Sequence, residues 1–247
     1  MTYDPFHLFG ADRPGDVIVI CDHASNHVPT AVAGGDLGLP AADMNRHIAY
    51  DIGAKGVSVA LGEALDAPVI CSNFSRLVID PNRGEDDPTL LMRLYDGTMI
   101  PANRHADEAE LQARLDLCYR PYHRALGQLV TARKNPIIIS IHSFTPQLRG
   151  RPKRPWHIGI LSNHDRRLSD PLLEALIQHS DIVTGDNVPY SGALKNDTMD
   201  QHALGPGHLH TLIEIRNDLI ETEAGQQEWA DRLAPVVTNA IAAAKET

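Results

Sequence analysis

Basic residues are in short supply in this chain. Its 22 lysines and arginines face 32 aspartates and glutamates, a formal net charge of −10 over 247 residues. That balance excludes a general nucleic-acid binder, which needs a basic face. Aromatic residues make up only 5% of the sequence, so the core is expected to be aliphatic. Cysteine is scarce as well. Cys21, Cys71 and Cys118 are an odd set without framework spacing, which excludes a disulfide scaffold. No apolar run approaches membrane-spanning length, and the first residues lack the basic-then-apolar pattern of a secretory signal. A reduced, cytoplasmic compartment is the expectation, with neither membrane nor nucleic acid as a partner. Repeats and low-complexity stretches are also missing. Hydrophobic content of 43% with 22% charged residues is that of an ordinary globular protein. The length suits one α/β domain over residues 1–247.

What the sequence does have is short apolar runs that end in polar clusters. The run 16–21 leads into Asp22-His23-Ala24-Ser25-Asn26, and Ile137 to Ile141 lead into His142-Ser143. Thr211 to Ile215 carry Glu214 and lead to Arg216-Asn217-Asp218. Runs of this kind read as buried strands of a parallel or mixed sheet. Further strands are expected near 67–71, 77–79, 157–161 and 182–184. Helices are expected over about 42–65, 108–134 with a kink at Pro121, 169–178 and 224–244. Residues 1–15 read as an irregular lead-in, and 84–106 as a long loop. Strands alternating with helices predict a three-layer α/β/α sandwich around a mixed, largely parallel sheet. Such sheets carry their ligands at the carboxyl ends of the strands.

Each candidate has a plain structural reading beside the functional one. Asp22 to Asn26 are turn formers, and His142 after an isoleucine run either is satisfied in the core or faces a site. Two imidazoles at equivalent strand ends point to a metal, because neutral imidazoles bind zinc. Glu214 lies where strand patterning predicts burial, and a buried carboxylate is costly unless paired or functional. An internal pair with Arg216, on the same strand face, is its structural alternative. Arg76 and Arg83 flank the short run 77–79; an Arg76–Asp80 bridge is one reading, and recognition of a substrate carboxylate is the other. His157, His164, His208 and His210 read as exposed or structural.

Taken in order, these residues carry a family resemblance. The motifs run from Asp22-His23-Ala24-Ser25-Asn26 through Arg46-His47-Ile48-Ala49-Tyr50-Asp51 and Ser75-Arg76 to Asn82-Arg83. They continue with Ile141-His142-Ser143, Asn187-Val188-Pro189-Tyr190 and Ile213-Glu214-Ile215-Arg216. The sequence resembles the N-formylglutamate amidohydrolase family, itself similar to zinc carboxypeptidases. The resemblance implies a metal site of His23, Asn26 and His142, with zinc as the ion and Asn26 standing where the carboxypeptidases have an acid. Asp22 or His47 is a possible additional ligand. It further implies Glu214 as the acid–base residue, assisted by Arg76 or Arg83 at the oxyanion. Asn82 and Arg83 match the pair that grips a substrate carboxylate, and His47, His202, Tyr190 and Arg216 join them as candidate substrate contacts. The implied reaction is metal-dependent hydrolysis of N-formyl-L-glutamate to formate and L-glutamate, a step of histidine degradation. Two alternatives stay open: an amidohydrolase or carboxypeptidase-like enzyme for another N-acyl amino acid, and a non-catalytic binder of acidic metabolites.

Overall fold

The computed structural model describes residues 3–246. Strands β1 (Phe6–Phe9) and β2 (Val17–Cys21) lead through helices α1 (Ala41–Met44) and α2 (Ala54–Ala64) to β3 (Val69–Ser72). A hairpin of β4 (Leu94–Tyr95) and β5 (Thr98–Met99) precedes α3 (Glu108–Arg114) and α4 (Arg120–Thr131). The rest runs β6 (Ile137–Phe144), β7 (Ile158–Leu161), α5 (Ser169–Leu176), β8 (Thr184–Asp186), β9 (Leu209–Arg216) and α6 (Glu223–Glu246). One seven-stranded sheet has the order β1-β3-β2-β6-β9-β7-β8. Pairing is parallel across its centre, from β3 through β2 and β6 to β9, and antiparallel where β1 joins β3 and β7 joins β9. The expected mixed α/β sandwich is the observed fold.

Both faces of this sheet are covered, which is why its central strands are apolar without alternation. Helices α2, α5 and α6 cover one face, packing on Val19, Ile139, Ile213 and Ile215. The turn around Leu77–Ile79, α4 and the helical turn ahead of it cover the other, against Ile18, Ile20, Ile138 and Leu212. Side chains alternate along a strand, so Asp22, His142 and Glu214 continue the second face. That face is where the polar residues collect.

Several elements differ from the sequence expectation. The helix expected over 42–65 is two helices joined by a wrapped segment, with Gly53 at the start of α2 in a left-handed conformation (φ +79°). A Cβ there would also meet the Ile220 carbonyl oxygen, so only glycine lets the chain turn at this point. The segment is anchored by the Asp51 amide donating to the His23 carbonyl at 2.9 Å. The run 77–79 is a fully buried turn and not a strand. There the Ser75 hydroxyl accepts from the Leu77 amide at 3.2 Å, and local side-chain hydrogen bonding overrides β propensity. The long helix over 108–134 is broken by a π-turn at Leu115–Tyr119, which accommodates Pro121 in the first turn of α4. Residues 6–9, read as lead-in, form the edge strand β1.

Candidate active site

Strand register builds the site. His142 lies opposite Glu214 across β6 and β9. Asp22, two residues beyond the Ile20–Ser140 pair of β2 and β6, lies level with them. Three parallel strands thus deliver an acid, an imidazole and an acid along one rung, with His23 following on the turn out of β2. His142 is therefore inside β6, which runs to Phe144, and not beyond its end. The imidazoles of His23 and His142 sit edge to face with centroids 4.9 Å apart.

Asp51 completes the group. Its Oδ2 lies 3.3 Å from His23 Nδ1 and 2.8 Å from His142 Nδ1, and accepts from the Ser143 amide at 3.2 Å. The opposite ring nitrogens meet other carboxylates: His23 Nε2 lies 2.7 Å from Asp80 Oδ1, and His142 Nε2 lies 3.5 Å from Asp22 Oδ2. Tyr122 donates to the other oxygen of Asp22 at 2.7 Å. Arg76 donates to Asp80 through Nη2 at 2.8 Å and approaches Asp51 at 3.5 Å. Asp22, His23, Asp51, Arg76, Asp80 and Glu214 are all buried, as is His142.

This arrangement is charged out of balance. Asp22, Asp51 and Asp80 face one guanidinium and two imidazoles. Burial alone would raise all three carboxyls, but the imidazoles beside Asp22 and Asp51, and Arg76 beside Asp80, hold them below the usual carboxylate range. Burial disfavours the His142 imidazolium, yet Asp22 and Asp51 push its pKa up to about 10. Burial pushes Glu214 up to about 7. Among the described residues its Oε2 has no hydrogen-bond partner, and neither has His142 Nε2 or Asp22 Oδ2. Buried polar atoms left unpaired demand an explanation.

A divalent cation fits these residues. Among the described residues, His23, Asp51 and His142 form the one group whose donor atoms all lie within 4.8 Å of one another in a metal-like set. If the Nε2–H groups face Asp80 and Asp22, two imidazole lone pairs point at the Asp51 carboxylate, an arrangement that needs a positive charge between them. The Nδ1–Oδ2 separations of 2.8 and 3.3 Å compare with roughly 3.3 Å between ligands of a tetrahedral zinc, whose bonds are about 2 Å. Carboxylates behind ligating imidazoles fix their tautomers and raise their basicity.

The other candidates separate clearly. Arg76, Asn82, Arg83, His47 and Tyr190 line the same cavity of about 270 Å³ as His23, His142 and Glu214. His202 and Arg216 do not line it. His202 Nε2 lies 2.9 Å from His123 Nδ1, while Arg216 donates to Asp218 at 2.7 Å and forms no pair with Glu214. Asn26 is not part of the cavity lining either: its amide nitrogen donates to the Met44 carbonyl at 3.0 Å and to Asn45 at 3.1 Å. The expected Arg76–Asp80 bridge is present. Sequence reasoning passed over Asp51 because residues 42–65 read as one continuous helix, which hides the turn at Gly53 that brings Asp51 to the strand ends. The available signal is the acid at the end of Arg46-His47-Ile48-Ala49-Tyr50-Asp51, with Gly53 two residues on. It also took His210 for structural or exposed, although it lines the cavity.

Comparison with known proteins agrees with this architecture. A search of curated proteins finds no match. Among solved structures, a gene product of Agrobacterium tumefaciens is 34% identical over 99% of this chain and 97% of its own, with a TM-score of 0.92. An N-formylglutamate amidohydrolase from Ralstonia eutropha shares the fold at 22% identity, covering 98% of this chain and 99% of its own, with a TM-score of 0.71. The family model for N-formylglutamate amidohydrolase matches residues 15–221, the span that holds every residue of the cluster. The chain belongs to the N-formylglutamate amidohydrolase family and is a hydrolase of amide bonds.

Proposed function

We propose that this protein hydrolyses the amide of a small N-acyl amino acid with the help of a divalent cation, zinc in the first instance, held by His23, Asp51 and His142. Asp51 takes the place first given to Asn26. The carrying observation is the rung on which Glu214, with an unpaired Oε2, lies opposite His142 of that group. The chemistry such a cation supplies is Lewis acidity toward the carbonyl and the attacking water. Glu214 accepts a proton from that water and returns one to the leaving nitrogen, so that amide plus water become carboxylic acid plus amine. A carboxyl with a pKa near neutrality suits both halves of the task. Arg76 keeps Asp80 ionised and places positive charge at the wall of the cavity, toward the oxygen that gains charge. Asn82 and Arg83 hold the substrate carboxylate, and His47 and Tyr190 complete the wall. N-formyl-L-glutamate, yielding formate and L-glutamate in the cytoplasm as in histidine degradation, is the specific reaction that the family's name contributes.

The test pairs composition with turnover. Purified protein should carry about one zinc per chain or take it up, and should release amine from a panel of N-acyl amino acids. Glu214→Gln should keep the metal while losing roughly 10²–10⁴-fold in kcat. Near-normal hydrolysis by that variant would refute the assignment of Glu214.

A further inference from the structure

The cavity does not stop at Glu214. It continues down β9, whose residues His210, Leu212 and Glu214 share one face and all line it. Four residues of strand span roughly 13 Å. Leu161 of β7, in register with Leu212, widens the floor. Met199 and Leu204, at the start and end of the helical turn Asp200–Leu204, also line the cavity. At the far end stands His210, whose Nδ1 lies 2.8 Å from the His208 carbonyl oxygen and donates to it. Among the described residues the other ring nitrogen has no hydrogen-bond partner, so this end offers an acceptor, and no guanidinium or ammonium group joins it in the lining.

Charge in the cavity argues in the same direction. Two guanidiniums line it, and Arg76 is committed to Asp80 and Asp51. Arg83 bonds only to neutral groups, the Thr89 hydroxyl and the Asn82 carbonyl. No lysine lines the cavity, whereas Asp197 and Asp200 do. One uncommitted cation matches one carboxylate. A second carboxylate, such as the side chain of N-formylglutamate carries, would meet leucines, a methionine and further acids.

We propose that the arm of the cavity from Leu212 to His210 is a subsite for an unbranched apolar group, so that the preferred substrate is an N-acyl amino acid with a single carboxylate and an alkyl-sized chain. This rests on the amidohydrolase reading and narrows it. The chain enters either as the acyl group, as in N-hexanoylglycine, or as the side chain, as in N-formylnorleucine. Both bury the same methylenes against Leu212, Leu161 and Met199.

Binding is measured on zinc-supplemented Glu214→Gln protein, so that ranking does not depend on turnover. Two series serve as probes: N-acylglycines from acetyl to hexanoyl, and N-formyl amino acids from alanine to norleucine, each against N-formyl-L-glutamate. Affinity should rise about fourfold for each methylene buried in one series, and that series identifies the group that enters. Leu204→Trp should flatten the dependence, and Leu204→Ala should move the optimum to a longer chain; circular dichroism confirms that each variant folds. Tightest binding of N-formyl-L-glutamate, or no dependence on length in either series, overturns the subsite. Length-dependent binding without hydrolysis by the wild-type protein supports the subsite and sinks the amidohydrolase reading instead.

Discussion

The contact between Tyr122 and Asp22 gives a sharp test of how the cluster is held. Tyr122 is fully buried on α4, and its hydroxyl donates at 2.7 Å to an aspartate that is itself fully buried. Tyr122→Phe removes that donor and almost no volume, so packing against Phe74 and Leu126 is kept. A hydrogen bond to a charged group is worth about 1.5–3 kcal/mol, and the abandoned carboxylate oxygen has no water to turn to. We therefore expect a loss of about 2 kcal/mol in urea unfolding. For a chain of this length that corresponds to a fall in Tm of about 4–8 °C. Function should suffer too, because the other oxygen of Asp22 faces His142 Nε2 as an ion pair at 3.5 Å. Loss of a carboxylate partner behind a ligating histidine typically costs about 10–100-fold in metal affinity. Loosening it by one hydrogen bond should cost about tenfold by the same measure, read by zinc titration against a chelator. A Tyr122→Phe protein with unchanged unfolding free energy and unchanged zinc affinity would show that Asp22 does not hold the site as argued.

Two further expectations follow from named contacts. His202, stacked on His123, is pushed down to about 4 by burial and by His123. A histidine whose folded pKa lies below its unfolded value near 6.5 stabilises fully above that value and loses the contribution as pH falls toward 4. Between pH 7.5 and 5 this amounts to about 2 kcal/mol; His202→Gln should show a correspondingly flatter pH dependence of urea unfolding, and parallel curves for the two proteins would count against it. Arg83→Met should raise KM by about 10–100-fold with kcat nearly unchanged, since it removes a charge-assisted bond made equally in ground and transition states. Arg83→Lys should recover part of that loss, and a KM unaffected by either substitution would remove Arg83 from carboxylate binding.

The sheet was legible because its signal is crude. Continuous apolar runs such as Ile137 to Ile141 need cover on both faces, and the acids and imidazoles at their ends stand out against them. His142 and Glu214 are neighbours in space because two such runs are adjacent and parallel, an adjacency set by the strand order and not by the fold class alone. Asp51 was hidden for the opposite reason. It sits in a segment whose apolar spacing mimics a helix, and the chain instead turns at Gly53 so that the carboxylate reaches His23 and His142. The run 77–79 misled in a similar way: its burial is real, but the Ser75 hydroxyl turns the backbone. Asn26 shows that a motif position does not fix where a side chain goes. Its amide donates to Met44 and Asn45, while Asp51 comes to the two imidazoles from another part of the chain. Nothing local in the sequence marks His202 as the partner of His123, because that contact joins residues 79 positions apart.

The two halves of the cavity are separable along one strand. The residues proposed for catalysis occupy the rung shared by His142 and Glu214, where three parallel strands converge and any change disturbs several buried charges at once. Leu212 lies one rung below, opposite Ser140 and Leu161, and His210 one rung further, opposite Ile138. Among the described residues, side chains there make no hydrogen bond to the charged cluster, so they can change size without removing any of its partners. Loss of a methylene in such a wall costs about 1–3 kcal/mol in discrimination between substrates, while loss of a buried charge partner costs about 3–5 kcal/mol in stability. Substrate choice can therefore drift within the family while the chemistry stays fixed. Membership of the family thus argues strongly for amide hydrolysis and only weakly for glutamate.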